Sequence, residues 1–228
     1  MDNPWLKLRD AEPFLLDGER EQIGRFNALN AGSPDLQVQT QLLPEPFFGD
    51  PDAAVYALCL NPGYSPGDDS WHRNVGFVNA IRQSHAHERR DRPHYYLDPG
   101  FADSPGARWW RRKCRWLIDD CGIEALSRNL FCVELFPYHS RKYKPLPRTL
   151  SPNGLPESSD YAAHLVADAI RGGKLIVQMR SATRWSSLVP QLRSHERVCR
   201  LANPRNVALS PRNLDRYSEV VAAIRRRG

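Results

Sequence analysis

The amino-acid sequence predicts an α/β fold of three layers, αβα, around a central, mostly parallel four-stranded sheet. Three observations lead there. Four short apolar runs, at residues 53–60, 129–136, 174–179 and 197–202, have the length and composition of buried strands. Segments with helical spacing separate them, as parallel strands with helices on both faces require. Each run stops at a polar turn or loop: Asn61-Pro62-Gly63, residues 134–139, Arg180-Ser181 and Asn203-Pro204-Arg205-Asn206. Ligands of such sheets bind at the carboxyl ends of the strands.

The chain of 228 residues reads as a single domain, 1–228, long enough to bury a core. Residues 1–52 form an N-terminal extension packing on it, with a helical pattern at 19–29 and the turn-rich approach Leu43-Pro44-Glu45-Pro46. The first strand follows, then a helical patch at 75–82. Residues 84–106 are polar, His-rich and Pro-containing, and read as a loop insertion. Residues 109–120 read as one amphipathic helix, with Trp109, Trp116 and Leu117 on one face and Arg111, Arg112 and Arg115 largely elsewhere. The second strand stops at Pro137, and residues 137–160 form a second, Pro-rich and basic insertion. A helix at 161–171 ends at Gly172-Gly173. Residues 186–194 are helical with Pro190 as an interruption, and a helix at 214–227 closes the chain.

A formal net charge of +6 favours an anionic partner without identifying one. The five cysteines are odd in number and contain no Cys-x-x-Cys pair, which argues against a disulfide framework, zinc and iron–sulfur. His85, His87 and His94 lie close together but lack a completing ligand, so no metal is expected. No Walker-type loop is present, so no nucleotide cofactor is expected either. Without a signal-peptide run or a membrane-length apolar stretch, the expectation is a cytoplasmic protein with no membrane partner.

Taken together, the strand ends carry a resemblance. Leu60-Asn61-Pro62-Gly63-Tyr64 is similar to the first motif of the uracil-DNA glycosylase superfamily, in the Asn-Pro-Gly form of its mismatch-specific and single-strand-selective branches. Asn129-Leu130-Phe131-Cys132-Val133-Glu134-Leu135-Phe136-Pro137 resembles the second strand of the single-strand-selective branch. Residues 176–182 stand at the third strand and its turn. Leu201-Ala202-Asn203-Pro204-Arg205-Asn206, through Leu214, resembles the last motif. The resemblance spans residues 53–228 with long unmatched insertions, and implies a uracil-DNA-glycosylase-like fold, DNA as partner, no cofactor and, since such enzymes slide along DNA, a monomer.

It also implies roles. Cleaving an N-glycosidic bond puts positive charge on the sugar and negative charge on the departing base. The enzyme must therefore hold a water, stabilise the base and take it out of the stack. Asn61 would orient the water; the plainer reading is a turn cap before Pro62. Asn203 stands at the family's His/Asn position for the leaving base. Ser210-Pro211-Arg212-Asn213 also looks like that motif, but Asn203 directly ends a strand. Arg205, Ser210, Arg212 and Asn213 would then belong to a DNA-facing loop, or be solvated charge.

Glu134 stands where the resembled branches carry an Asn that reads the pyrimidine. An ionised carboxylate only accepts hydrogen bonds, so Glu134 suits a base offering an amino group, cytosine-like or 5-modified rather than plain uracil. The plainer reading is an ion pair with a local cation. Tyr64 and Phe77 are candidate stacking residues, with core packing the natural alternative for Phe77. His139 is a weaker candidate for base or phosphate contact. Ser65, Arg141, Lys142, Arg180 and Ser181 are candidate DNA contacts. Two further readings compete with the glycosylase: a DNA-binding protein that keeps the fold without turnover, and a small-molecule α/β enzyme.

Overall fold

The computed structural model describes residues 1–151 and 155–226. Residues 152–154 of the Pro-rich insertion and Arg227 of the expected last helix lie outside the described residues. In chain order the elements are α1 (Arg20–Leu29), β1 (Phe47–Phe48), β2 (Val55–Leu58), α2 (Asp68–Trp71), α3 (Val75–His85), α4 (Pro105–Lys113), α5 (Arg115–Cys121), α6 (Ile123–Asn129), β3 (Leu130–Val133), α7 (Pro156–Arg171), β4 (Leu175–Gln178), α8 (Ala182–Leu188), β5 (Val198–Arg200) and α9 (Tyr217–Arg225). Short 3-10 turns connect several of them.

The architecture is α/β, and the sheet has five strands in the order β1-β3-β2-β4-β5 among the described residues. Four of them are the expected strands, and they pair in parallel. The expectation of four strands is corrected by β1, which pairs antiparallel with β3 through Phe47↔Val133 and Phe48↔Cys132. A two-residue strand between Pro46 and Gly49 shows no alternation, so it offers no periodic signal. Its backbone position is nevertheless tight. Gly49 has φ +110°, and a Cβ there would come within 2.4 Å of the Leu130 carbonyl oxygen.

The two insertions are packed rather than loose. His94, Tyr95, Tyr96 and Leu97 are buried, and so are Tyr138, His139 and Ser140. The N-terminal extension is fastened to both. Glu19 accepts hydrogen bonds from the Tyr138 hydroxyl and the Ser158 N–H, each at 2.7 Å. The Gln39 N–H donates to the His139 carbonyl and the Glu45 N–H to the Pro137 carbonyl. The single helix expected at 109–120 is two, α4 and α5, divided at the buried Cys114. Ser104 caps α4 by accepting from the Ala107 N–H, with Pro105 in the first turn. No helix among the described residues is long and apolar enough to cross a membrane.

His85 ends α3 fully buried, its Nε2–H donating to the Pro44 carbonyl at 2.8 Å. Burial pushes its imidazole down to about 4. The unfolded chain therefore binds more protons than the folded one between the ordinary histidine value of about 6.5 and about 4. This contribution to stability is present above about 6.5 and is lost as pH falls through that window. His85→Gln keeps a donor for Pro44 and does not titrate. Urea denaturation at pH 7 and pH 5 should show wild type losing about 2 kcal/mol more than the variant; equal losses would refute the assignment.

Candidate active site

A cavity of about 480 Å³ opens at the carboxyl ends of β2, β3 and β4. Cys59, Leu60 and Asn61 reach it from β2, Glu134 from β3, and Met179 and Arg180 from β4. Phe48 and Glu45 close it from the N-terminal extension. The α4 face Pro105, Arg108, Trp109 and Arg112, spaced i, i+3, i+4 and i+7, forms the opposite wall with Trp110.

The exits of β2 and β3 are laced together. The Phe136 N–H donates to the Leu60 carbonyl, and an isolated parallel bridge pairs Gly63 with Ser140. Asn61 Nδ2 donates to the Pro62 carbonyl at 2.8 Å and to Ser140 Oγ at 3.0 Å. Both its N–H groups are thereby committed, which leaves Oδ1 as the acceptor for a water. The His139 Nδ1–H donates to the Gly63 carbonyl at 2.8 Å, which fixes the ring and leaves Nε2 as the other functional atom.

Glu134 is 6 % exposed, and its Oε2 has no hydrogen-bond partner among the described residues. Burial raises its carboxyl well above the ordinary range, the Cys59 and Glu45 groups add to this, and Arg180 opposes it. It makes no ion pair among the described residues, so the plainer expectation of a local salt bridge is not met. In its acid form such a group carries one donor as well as an acceptor, whereas the expected acceptor-only carboxylate requires the ionised form that burial disfavours.

Behind His139 lies a second buried acid. The Tyr96 hydroxyl sits 2.7 and 2.6 Å from the two oxygens of Glu45. Nε2 of His72 and Nε2 of His139 each lie 3.6 Å from Glu45 Oε1. Burial raises the Glu45 carboxyl, and it lowers the His72 imidazole well below its usual value. The three side chains are close enough to reach one ion. The hydrogen bonding of His72 argues against it. The Leu43 N–H donates to His72 Nδ1 at 3.1 Å, so neutral His72 carries its proton on Nε2 and has no lone pair there for a metal. Asp68, also a cavity wall, is raised by burial and accepts from the Ser65 N–H and Oγ.

Of the candidate residues read from the sequence, Asn61, Tyr64, Ser65, Glu134, His139 and Arg180 line the cavity. Tyr64 is held at its mouth by a hydrogen bond to Asp69. Phe77 is not a wall: it is buried among Trp71, His72, Tyr95, Tyr96 and Phe101, and Phe48 is the phenylalanine at the cavity. Asn203 is also elsewhere. It is exposed, and its Oδ1 accepts from the Arg205 and Asn206 N–H groups in a local turn. That loop contributes the apolar Val207 to the wall instead.

Asn213 is buried and fully engaged, accepting from the Asn203 N–H and donating to the Asn206 and Ala208 carbonyls. It staples the loop and cannot also reach DNA. The Ser210 carbonyl accepts from the Asn213 and Leu214 N–H groups. Arg205 and Arg212 are exposed on this loop. Arg141 and Lys142 are drawn onto Asp35, at 3.4 and 2.8 Å. Ser181 follows Arg180 in the left-handed region, φ 54°, at the head of α8.

Arg108, Arg112 and Arg180 form a cationic rim. The ammonium of Lys113 is lowered first by partial burial and then by the charges of Arg112 and Arg180. Sequence reasoning missed Glu45, Asp68, Phe48, Tyr96 and the α4 face. Two signals were available: the i, i+3, i+4, i+7 spacing of residues 105–112, and Ser65-Pro66-Gly67-Asp68 as a capping-type turn.

Gly106 is where this wall meets the acid cluster. A Cβ there would lie 2.2 Å from the Tyr96 ring, which is buried against Phe48 and Phe77 and bonded to Glu45. Gly106→Ala should cost about 1–3 kcal/mol in urea denaturation; a change within the error of measurement would mean the wall is loosely packed. Compared with protein-family models, curated proteins and solved structures, the chain matches none of them.

Proposed function

We propose that the chain is a monofunctional DNA glycosylase that hydrolyses the N-glycosidic bond of a damaged or modified pyrimidine flipped out of DNA, leaving an abasic site. One observation carries the reading. A water-holding amide oxygen, Asn61 Oδ1, and an unpartnered acid, Glu134, belong to the walls of a single aromatic-lined cavity under a rim of arginines. The chemistry of base excision asks for these parts: a positioned water, a polar group for the base edge, stacking surfaces and cations for phosphate.

In this reading Asn61 Oδ1 accepts a hydrogen bond from the attacking water. Trp109, Trp110, Phe48 and Tyr64 offer surfaces for the base. Arg108, Arg112 and Arg180 hold the flanking phosphates. Glu134 in its acid form donates one hydrogen bond and accepts another, as an amide does. It can pair with the O4 and N3–H of a uracil-type edge, or with the N4 amino group and N3 of a cytosine-type edge. The cytosine-like and 5-modified bases therefore remain substrates, without Glu134 excluding the uracil type.

The test is base release from oligonucleotides carrying uracil, hypoxanthine, mismatched thymine and 5-substituted cytosines and uracils, read by alkaline cleavage. Release of at least one base is expected, and Asn61→Ala should lower the rate about 100-fold while DNA binding persists. Glu134→Gln, uncharged and nearly isosteric, should keep the rate within about tenfold, whereas Glu134→Leu should abolish recognition. Equal loss in both Glu134 variants would sink the acid-form assignment. A second reading, a DNA-binding protein without turnover, is favoured by the exposed position of Asn203. Salt-sensitive DNA binding with no base released would establish it.

A further inference from the structure

Asn61 can serve an attacking water only if its amide faces the right way. The water attacks C1′ with an oxygen lone pair, so the residue that holds it must accept from its hydrogens and not donate to its oxygen. An Asn side chain offers two different edges, a carbonyl oxygen and an NH2 group. The torsion that exchanges them is broad and roughly two-fold. Left alone, the amide would turn either edge to the cavity. With the NH2 edge turned in, it would bind the lone pair that has to attack.

Two acceptors on one side of Asn61 settle the choice. The Pro62 carbonyl can only accept, and it takes one Nδ2–H at 2.8 Å; the opposite orientation would set two carbonyl oxygens against each other. This contact is local to the turn and moves with it. The second Nδ2–H goes to Ser140 Oγ at 3.0 Å, on the exit of the neighbouring strand. Ser140 is 4 % exposed, and backbone contacts fix its place. Its N–H donates to the Pro62 carbonyl at 3.4 Å, and it pairs with Gly63 in the isolated parallel bridge. The preceding residue, His139, holds the Gly63 carbonyl through its Nδ1–H. Ser140 is therefore an anchored point outside the turn against which the amide is held. It is not one of the residues that wall the cavity, so it can act on a bound molecule only through Asn61.

We infer that Ser140 is a positioning residue of the site: its hydroxyl holds the Asn61 amide with Oδ1 toward the cavity and so aims the attacking water. This rests on the glycosylase reading above. Loss of the hydroxyl leaves one Nδ2–H without its partner, and the amide regains its torsional freedom. The rim arginines and the cavity walls are untouched by that loss. DNA then binds as before, and the chemical step slows.

The test is single-turnover excision, with DNA affinity measured alongside, on whichever base of the panel wild type releases fastest. Ser140→Ala should lower the rate about tenfold, the worth of one hydrogen bond, with the dissociation constant for the oligonucleotide unchanged within about twofold. Ser140→Thr and Ser140→Val share a shape and differ in the hydroxyl, so the Thr variant should be about tenfold the faster. In the double variant, Ser140→Ala should add nothing to Asn61→Ala: the rate should lie about 100-fold below wild type, whereas independent losses would multiply to about 1,000-fold. A general loosening of the loop would give the multiplied loss. The Ala set and the Thr–Val pair each decide alone if the other fails to fold. An active wild type with Ser140→Ala equally fast, with Thr and Val variants equally slow, or with losses that multiply, overturns this inference alone. Asn61→Ala as fast as wild type removes the water-holding role, and the inference with it, while base release stands. A wild type that releases no base of the panel overturns the glycosylase reading as well.

Discussion

The site depends first on the seam between β2 and β3 continuing past the ends of the strands. Val55–Leu58 and Leu130–Val133 pair in parallel, and the pairing persists through the Cys59 N–H to Val133, the Phe136 N–H to Leu60 and the Gly63–Ser140 bridge. Two loops that would otherwise diverge are thus held at strand spacing. Asn61 meets Ser140, and His139 meets Gly63, because the backbone leaves them nowhere else to go. Pro62 and Pro137 suit this, since each stops regular pairing without requiring an N–H partner. The polar side chains inherit their geometry from a ladder of backbone hydrogen bonds, which is a rigid way to aim them.

The N-terminal extension is part of that construction. Phe48 and Glu45 form cavity wall, and the Glu45 N–H to Pro137 bond ties the extension to the segment that carries His139. Glu19, between Tyr138 and Ser158, ties it to α7 as well. A buried carboxylate is tolerated only with donors or a proton. Glu19 meets the rule with donors. Glu45 meets it with the Tyr96 hydroxyl. Glu134 has no donor at Oε2, and its acid form is the remaining solution. One physical rule thus yields three outcomes.

How much was legible in the sequence follows from the range of each signal. The four parallel strands were legible because each is a continuous apolar run with a polar stop. Asn61, Glu134, His139 and Arg180 were legible because they sit at those stops, and the fold brings strand ends together whatever the loops do. Asn203 also follows a strand, yet its short side chain closes its own turn instead. Proximity to a strand end sets where the backbone goes; local hydrogen bonds then decide where an Asn side chain points. Phe77 shows the same limit for an aromatic residue, since core and cavity both favour it. Glu45 and Phe48 were illegible because they come from a two-residue strand and a Pro-flanked turn, where no period exists to read. The α4 face was visible as a helix, but its arginines and tryptophans were assigned to solvent and packing because the cavity they face is formed by distant chain.

The distribution of charge gives these parts a common logic. The rim carries Arg108, Arg112 and Arg180, whereas the interior carries Glu45, Asp68 and Glu134. Were all three acids ionised, they would offset the rim's attraction for a polyanion and oppose a base departing as an anion. Burial raises all three carboxyls, which weakens that opposition, while the three arginines stay at the exposed rim. In the proposed reaction phosphate would meet the cations at the mouth, and the base would meet Glu134 as an acid able to donate a hydrogen bond. The same desolvation that makes these groups costly to fold around favours their uncharged forms. A cavity built from apolar residues alone would be cheaper to fold, and it would offer no polar group to a bound molecule.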